Sequence, residues 1–281
     1  MYDLKQIIQK YELNAKKSLG QNFILDTNLL NKIAKTALAG VSFDSLLEVG
    51  PGPGGLTKAL LELGDFQMTA IEKDERCAKA LSELSEEYLN RLTILNEDAL
   101  DFDESLLGKN ICVVANLPYN VSTILLTKWL KKIHLFSGLT LMFQKEVADR
   151  LLADANDDAY GRLSVMTKWL ADVSNLMILP PTVFSPSPKV KSALVRITPK
   201  KNPASGFGFD TLSKLTIATF SGRRKMLRSS LKSLALDLQE IEDICLTGNV
   251  DPTMRAEQVS VDSYCLMAKW LEDKYARYNK S

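Results

Sequence analysis

The stretch Glu48-Val49-Gly50-Pro51-Gly52-Pro53-Gly54-Gly55-Leu56-Thr57 decides how the first part of this chain folds. The apolar run Ser45–Val49 leads into it, and Leu56–Leu63 follows with apolar residues at helical spacing. Glycines in such a strand-to-helix turn take positive φ and let the backbone pass close to a ligand. Dinucleotide-binding enzymes use a related turn, so the motif alone indicates a nucleotide-like ligand without identifying it.

Short apolar runs alternate with helical patterns on both sides of this turn. The alternation predicts an α/β fold with a doubly wound, mostly parallel sheet. The predicted strands are Ser45–Val49, Met68–Glu72, Leu92–Leu95, Ile111–Ala115 and Leu139–Phe143. The predicted helices between them are Leu56–Leu63, Asp74–Leu84 and Ser122–Lys132. Further on, Leu176–Leu179 and Ser192–Ile197 flank a proline-rich stretch and predict a hairpin at the sheet edge.

A linker is predicted at Thr198–Phe209, which holds two prolines and two glycines and has no apolar period. We therefore expect one domain over residues 1–198 and a small α-helical domain over residues 199–281. In the second domain, helical spacing places four leucines on one face and three basic residues on the opposite face. The leucines are Leu227, Leu231, Leu234 and Leu238, and the basic residues are Lys225, Arg228 and Lys232.

The net charge of +1 conceals a strongly basic segment. Between Lys189 and Lys232 there are eleven Lys or Arg residues and one acid, Asp210, which gives this segment a charge of +10. Such a concentration on a near-neutral protein favours contact with a polyanion such as a phosphate backbone. A basic helix face that is merely solvated is the alternative.

Composition excludes several classes of protein. No run of 18 apolar residues exists, so no membrane span is predicted. The polar N-terminus lacks the apolar core of a signal peptide, and its acids Asp3 and Glu12 fit poorly with a transit peptide, which predicts a cytoplasmic protein. The four cysteines stand far apart and His134 is the single histidine, so we expect no metal site, no disulfide and no histidine-based catalysis.

Two carboxylates stand at or just after the ends of predicted strands. Glu72 comes 22 residues after Gly50, at the strand end where a carboxylate can accept hydrogen bonds from ribose hydroxyls. Asp98 follows the third strand, where a carboxylate can accept from the exocyclic amine of an adenine. For Asp98, a helix N-cap is an equally good interpretation.

The motif Asn116-Leu117-Pro118-Tyr119 follows the buried run Ile111–Ala115, at the edge where such sheets bind ligands. An aromatic amine is a poor nucleophile, because its lone pair is delocalised into the ring. Two acceptors for its hydrogens, the Asn116 side-chain oxygen and the Leu117 carbonyl oxygen, can pull the nitrogen toward tetrahedral geometry. Pro118 fixes the turn without a competing N–H, and Tyr119 offers a stacking surface. A simple β-to-α turn capped at Ser122 is the alternative.

Taken together, these motifs resemble those of the KsgA-type ribosomal RNA small-subunit adenine dimethyltransferases. The resemblance runs nearly from end to end. Its segments are Lys16–Phe23, the glycine turn, Ile71-Glu72, Asn116–Tyr119, Gln144–Ala148, Phe184–Ser192, Arg223–Lys225 and Arg255–Glu257. It implies a Rossmann-like class I methyltransferase fold, S-adenosylmethionine as methyl donor, no metal, and dimethylation of adenine N6.

The resemblance also assigns residues. It implies that the cofactor contacts are Asn22, Ile24, Gly50, Glu72, Asp98 and Asn116, and we expect Gly52 of the turn to join them. Ile24 departs from the leucine usual in this family, which matters little for a backbone contact. Tyr119 and Phe184 match the aromatics that sandwich the target base, and the proline-rich stretch predicts an exposed Phe184; a hydrophobic anchor for the hairpin is the alternative. Arg223, Arg224, Lys225 and Arg228 are the predicted RNA-binding residues.

By resemblance, the substrate is a pair of adjacent adenines in a hairpin loop near the 3′ end of 16S rRNA, presented on an assembling small subunit to a monomeric enzyme. Three alternatives stay open. A large-subunit rRNA dimethylase of the macrolide-resistance type shares much of the first domain. A nicotinamide dehydrogenase would share the glycine turn and Glu72, but has no use for Asn116–Tyr119. A non-catalytic assembly or transcription factor could use the same fold.

Overall fold

The computed structural model of the protein describes residues 2–13, 20–88, 90–222 and 224–278. Its strands are β1 (Phe23–Ile24), β2 (Ser45–Val49), β3 (Met68–Ile71), β4 (Leu92–Leu95), β5 (Ile111–Ala115), β6 (Phe136–Gln144), β7 (Ala171–Leu179), β8 (Phe184–Ser185) and β9 (Ser192–Pro199). Its helices are α1 (Leu4–Lys10), α2 (Thr27–Leu38), α3 (Gly55–Leu61), α4 (Glu75–Glu87), α5 (Tyr119–Lys131), α6 (Lys145–Leu152), α7 (Arg162–Leu170), α8 (Phe209–Thr219), α9 (Leu227–Ser230), α10 (Leu238–Thr247) and α11 (Val261–Tyr278).

Seven strands form one sheet in the order β4-β3-β2-β5-β6-β9-β7. The five strands from β4 to β6 are parallel, and β9 is antiparallel to β6. The prediction of an α/β fold with a doubly wound, mostly parallel sheet is therefore confirmed. The chain runs outward from β2 to β4 and then returns to β5 on the other side of β2. This reversal places the carboxyl ends of β2 and β5 side by side, at the point where such sheets bind ligands.

The sequence accounts for the central elements. All five residues of β5 are buried, as expected for a strand covered on both faces. Helix α4 begins at the predicted place because the Asp74 side chain accepts the N–H of Arg76. Its buried residues recur at helical spacing, and they are Cys77, Ala80, Leu81 and Leu84. Strands β2, β4 and β5 have the predicted bounds, whereas β6 begins three residues earlier, at Phe136.

The predicted edge hairpin corresponds to β7 and β9, which are neighbours in the sheet and longer than predicted. Along the chain, β8 lies between β7 and β9, but it pairs with β1 in a separate two-stranded sheet. Sequence patterns gave no sign of this second sheet.

The chain divides into two compact units. The first consists of residues 1–148 and 174–199, and the second of residues 149–173 and 200–281. The longer segment of the second unit begins at residue 200, next to the boundary predicted between residues 198 and 199. The second unit also includes residues 149–173, which were predicted to belong to the first domain. The reason is that α7 packs against α8 and α11, a long-range contact that local spacing does not reveal.

The basic region of the second unit is not the continuous helix that the leucine spacing predicted. Helix α9 ends at Ser230, a 3-10 turn follows, and Ala235 takes a left-handed φ of 57°. Leu227 and Leu231 are fully buried, but Leu238 is 71% exposed because it begins the next helix, α10. The prediction of opposed leucine and basic faces along one helix is therefore wrong.

All four cysteines are buried and free. In the described parts of the chain, the structure has no helix with the length and apolarity needed to cross a membrane.

Candidate active site

A cavity opens at the carboxyl ends of β2, β3, β4 and β5, next to β1. It gathers most of the residues singled out from the sequence, and its lining includes Asn22, Ile24, Gly50, Gly52, Glu72, Asp98, Asn116, Leu117, Pro118 and Tyr119. All of these residues belong to the first unit. Phe184 is not among the lining residues.

The glycine turn after β2 forms one wall of the cavity. Gly50 and Gly52 take φ values of 69° and 56°, which favour glycine. A Cβ on Gly52 would lie 2.8 Å from the Phe23 ring, so a side chain there would collide with the opposite wall. The turn therefore exposes backbone to the cavity, as a close approach to a nucleotide-like ligand requires.

The carboxylate of Glu72 is fixed by two backbone donors. The N–H groups of Gly52 and Asp74 donate to its two oxygens at 2.9 and 2.8 Å. Burial raises the pKa of Glu72 against the opposing effect of these bonds. A carboxylate has about four acceptor positions, so Glu72 can still accept from two neighbouring hydroxyls of a ligand. This geometry agrees with the predicted ribose contact.

Glu48 was quoted in the glycine motif, but the sequence analysis gave it no role. It lines the cavity, is 1% exposed, and accepts a 2.6 Å hydrogen bond from the Thr57 hydroxyl. Burial raises the pKa of Glu48 to about 8, so the group largely keeps its proton at neutral pH. An acid inside an apolar strand, two residues before the first glycine of the turn, is the signal that could have identified this buried carboxyl.

Asp98 closes a turn instead of capping a helix, and its contact with an adenine amine stays a prediction. The Leu100 N–H donates to its carboxylate at 2.9 Å, and the Lys73 ammonium lies 2.6 Å from it. Lys73 lowers the pKa of Asp98, which keeps this carboxylate charged. Asp98 thus closes its own turn and also lines the cavity.

The loop after Asp98 is held by residues that the sequence analysis missed. The Lys128 ammonium, on α5, donates to the Ala99 carbonyl at 2.8 Å and to the Phe102 carbonyl. It also pairs at 2.8 Å with Glu104, a buried carboxylate that accepts the indole N–H of Trp129. Helix α5 therefore supports the wall formed by Ala99 and Leu100.

Asn116 lies directly after β5 with its amide in a defined orientation. Its Nδ2 donates to the Asn22 carbonyl at 3.1 Å, which leaves Oδ1 as the acceptor that it can offer to a ligand. The Asn116 carbonyl oxygen is 4.0 Å, and Pro118 Cδ 3.7 Å, from the point where a Cβ on Gly50 would lie. The motif after β5 and the glycine turn after β2 are therefore in direct proximity.

The two predicted stacking residues differ in environment. Tyr119 is half-buried at the start of α5 and lines the cavity. Phe184 is 5% exposed, because β8 pairs with β1 and buries its side chain in the hydrophobic core. The expectation that Phe184 is exposed is wrong for this structure, and the anchor interpretation describes its position better. Its role in stacking stays a prediction.

The predicted RNA-binding residues belong to the second unit. Arg223 and the segment Lys16–Leu19 of the N-terminal motif lie outside the described residues. Arg224 and Lys225 are exposed and precede α9, next to a bridge between Met226 and Arg255. Arg228 is exposed within α9. No cluster of three or more potential ligands for a metal ion occurs in the parts of the chain that the structure describes.

Comparison with known protein families shows to which family this chain belongs. Residues 12–273 match the model of the family described as ribosomal RNA adenine dimethylase. The chain belongs to this family. The fold class and the resemblance predicted from the motifs are thereby confirmed. The methyl donor of this family is S-adenosylmethionine, and the residues that line the cavity fit it.

Curated relatives of this dimethylase cover almost its whole length. The "Ribosomal RNA small subunit methyltransferase A" of Roseobacter denitrificans is 47% identical over 270 residues, which are 95% of each chain. The protein of the same name from Rhizobium etli is 45% identical over 273 residues, covering 95% of this chain and 97% of the relative.

Solved structures agree with the family assignment. A dimethyladenosine transferase from Plasmodium falciparum matches with a TM-score of 0.71 and 26% identity, covering 92% of this dimethylase and 98% of that chain. The 23S rRNA methyltransferase ErmE matches with a TM-score of 0.68 and 25% identity, covering 89% and 99% of the two chains.

Proposed function

We propose that this dimethylase transfers methyl groups from S-adenosylmethionine to the N6 amines of two adjacent adenines in 16S rRNA. The observation that carries this proposal is the orientation of the Asn116 amide. The Asn22 carbonyl accepts its N–H, in a cavity that the glycine turn and Glu72 also line. The substrate follows from the relatives, which are named small-subunit methyltransferases. We place the two adenines in a hairpin loop near the 3′ end of the RNA, presented on an assembling small subunit in the cytoplasm.

The chain's own groups fit the cofactor. Backbone of the glycine turn and residues 22–24 would contact it, Glu72 would accept from its ribose hydroxyls, and Asp98 would accept from its adenine amine. When bound, S-adenosylmethionine supplies a methyl group activated by a positively charged sulfur. We propose that the enzyme acts as a monomer.

The role of Asn116 and Leu117 is to prepare the target amine. The Asn116 Oδ1 and the Leu117 carbonyl accept the two N6 hydrogens, which draws the nitrogen lone pair out of conjugation and directs it at the methyl group. The proton is lost after transfer, when the nitrogen is positively charged and acidic. This order needs no general base, and it agrees with a single histidine that lies in a turn outside the cavity lining.

The substrate assignment is tested by tritiated-methyl transfer to unmethylated small and large ribosomal subunits, with nuclease mapping of the label. We expect label on neighbouring adenines near the 3′ end of the small-subunit RNA. Label on the large subunit would instead favour the macrolide-resistance type. The 23S rRNA methyltransferase ErmE, to which the chain is similar in fold, keeps a large-subunit substrate in the test. Subunit binding without any transfer would favour the non-catalytic assembly factor.

Substitution Glu72→Ala tests the cofactor assignment. We expect S-adenosylmethionine to bind about 10- to 150-fold more weakly, because hydrogen bonds to a charged group contribute roughly 1.5–3 kcal/mol. Isothermal titration calorimetry measures this loss. Glu75→Ala, at an exposed neighbour on α4, is the matched control and should bind as the wild type does. Unchanged affinity in Glu72→Ala would refute the ribose contact.

A further inference from the structure

The hydroxyl of Tyr119 has a partner inside the protein. It lies 2.7 Å from Oγ of Ser192, and either oxygen can be the donor. Ser192 is fully buried and is the first residue of β9. A short hydrogen bond between a half-buried tyrosine and a buried serine is well shielded from competition by water.

Ser192 stands on a rigid support. It pairs with Gln144 at the end of β6, and the ladder continues with the Lys145 N–H, which donates to the Lys191 carbonyl at 2.9 Å. The serine is therefore anchored to the main sheet, although the proline-rich segment leads directly into it. Its hydroxyl is a fixed point in the first unit.

Tyr119 is also fixed at its backbone. It is the first residue of α5, and its carbonyl accepts a 3.0 Å hydrogen bond from the Ser122 hydroxyl. A tyrosine side chain has only two main torsion angles. With the backbone held by α5 and the hydroxyl held by β9, the long axis of the ring is fixed at both ends. Because a phenol O–H prefers to lie in the plane of its ring, the bond to Ser192 also restricts rotation about that axis.

We propose that Ser192 is a positioning residue that holds the Tyr119 ring in place for stacking on the target adenine. The inference rests on the proposed function and deepens it. The ring face then serves the base, while the hydroxyl is committed to Ser192 and takes no part in proton transfer. This role also gives a physical reason for a serine at position 192, the last residue of the Phe184–Ser192 segment. No role was predicted for that serine from the sequence.

The test is a double-mutant cycle of Ser192→Ala and Tyr119→Phe, measured as single-turnover methyl transfer to small subunits. Each single variant should be about 2- to 10-fold slower, since each removes the same hydrogen bond. The double variant should be no slower than the slower single variant. The KM for S-adenosylmethionine should stay unchanged in all three. Effects that multiply in the double variant would overturn the proposal.

A binding measurement separates this proposal from the function on which it rests. RNA carrying 2-aminopurine at the target position reports stacking through loss of its fluorescence, and it requires no methyl transfer. We expect weaker quenching by Ser192→Ala than by the wild type. Equal quenching would overturn the positioning role, whereas a wild type that quenches but transfers no methyl group would contradict only the proposed function.

Thr140→Val is the matched control. It removes a buried hydroxyl from the same β6–β9 ladder, where Thr140 faces Arg196. We expect wild-type transfer and quenching from this variant. If Thr140→Val reproduced the defect of Ser192→Ala, the loss would come from the sheet in general and the specific role of Ser192 would be refuted.

Discussion

Replacing Asn116 by alanine is expected to slow methyl transfer by a factor of about 100 to 1,000 while S-adenosylmethionine still binds. The factor corresponds to ~2.7–4 kcal/mol, the usual cost of removing one preorganised polar group from an active site. The physical reason is that Asn116 acts on the target amine, whose lone pair stays conjugated when the Oδ1 acceptor is missing. Single-turnover rates and calorimetry on the same preparations measure the two quantities.

Two further variants sharpen this test. Asn116→Asp keeps an acceptor oxygen but loses the Nδ2 donor that the Asn22 carbonyl orients, so its rate should fall between those of the wild type and Asn116→Ala. Asn31→Ala, at an exposed asparagine on α2, should behave as the wild type. Near-wild-type turnover by Asn116→Ala would rule out the polarising role.

Reversal of Arg224, Lys225 and Arg228 to glutamate is the second large effect that we expect, and it concerns RNA binding. Each phosphate contact releases counterions and contributes ~0.7–0.9 to the slope of log affinity against log salt. Losing three contacts should lower the slope by about 2 to 3 and weaken binding about 100-fold or more near ~0.1 M salt. The three side chains are exposed, so the melting temperature should change little.

Subunit binding across a salt series measures this prediction. A control variant reverses Lys32, Lys35 and Lys109, three exposed lysines of the first unit, and changes the net charge by the same amount. If both variants lose affinity equally, only the overall charge matters. An unchanged slope in the first variant would mean that the predicted RNA contacts lie elsewhere.

The parts of this protein that follow from local sequence were predicted well. β2, β4 and β5 have the predicted bounds, because each of these parallel strands is a short apolar run between turn residues. The cavity residues at these strand ends were predictable for the same reason. Glu72 and Asn116 come directly after a strand and Asp98 three residues after one. Parallel strands bring their carboxyl ends to one edge.

The errors come from contacts between distant segments. Phe184 is buried because it pairs with Ile24, about 160 residues away in the chain, and proline content gives no information on such a partner. The leucine spacing after residue 227 predicted one helix, but Ala235 takes a left-handed conformation that ends it. Ser192 and Lys128 escaped notice because their partners, Tyr119 and the carbonyls of Ala99 and Phe102, lie on other elements.

Helix α5 carries both Tyr119, at its first residue, and Lys128, which holds the cavity wall at Ala99. At ~1.5 Å per residue, the nine residue steps from Tyr119 to Lys128 span roughly 13 Å. The distance between Tyr119, which we propose stacks on the target base, and Lys128, which holds the wall proposed to contact the cofactor's adenine, is thus set by the geometry of the helix. Deleting one residue between them would turn Lys128 by about 100° and detach the wall. We therefore expect the segment between Tyr119 and Lys128 to tolerate substitutions but not a change of length.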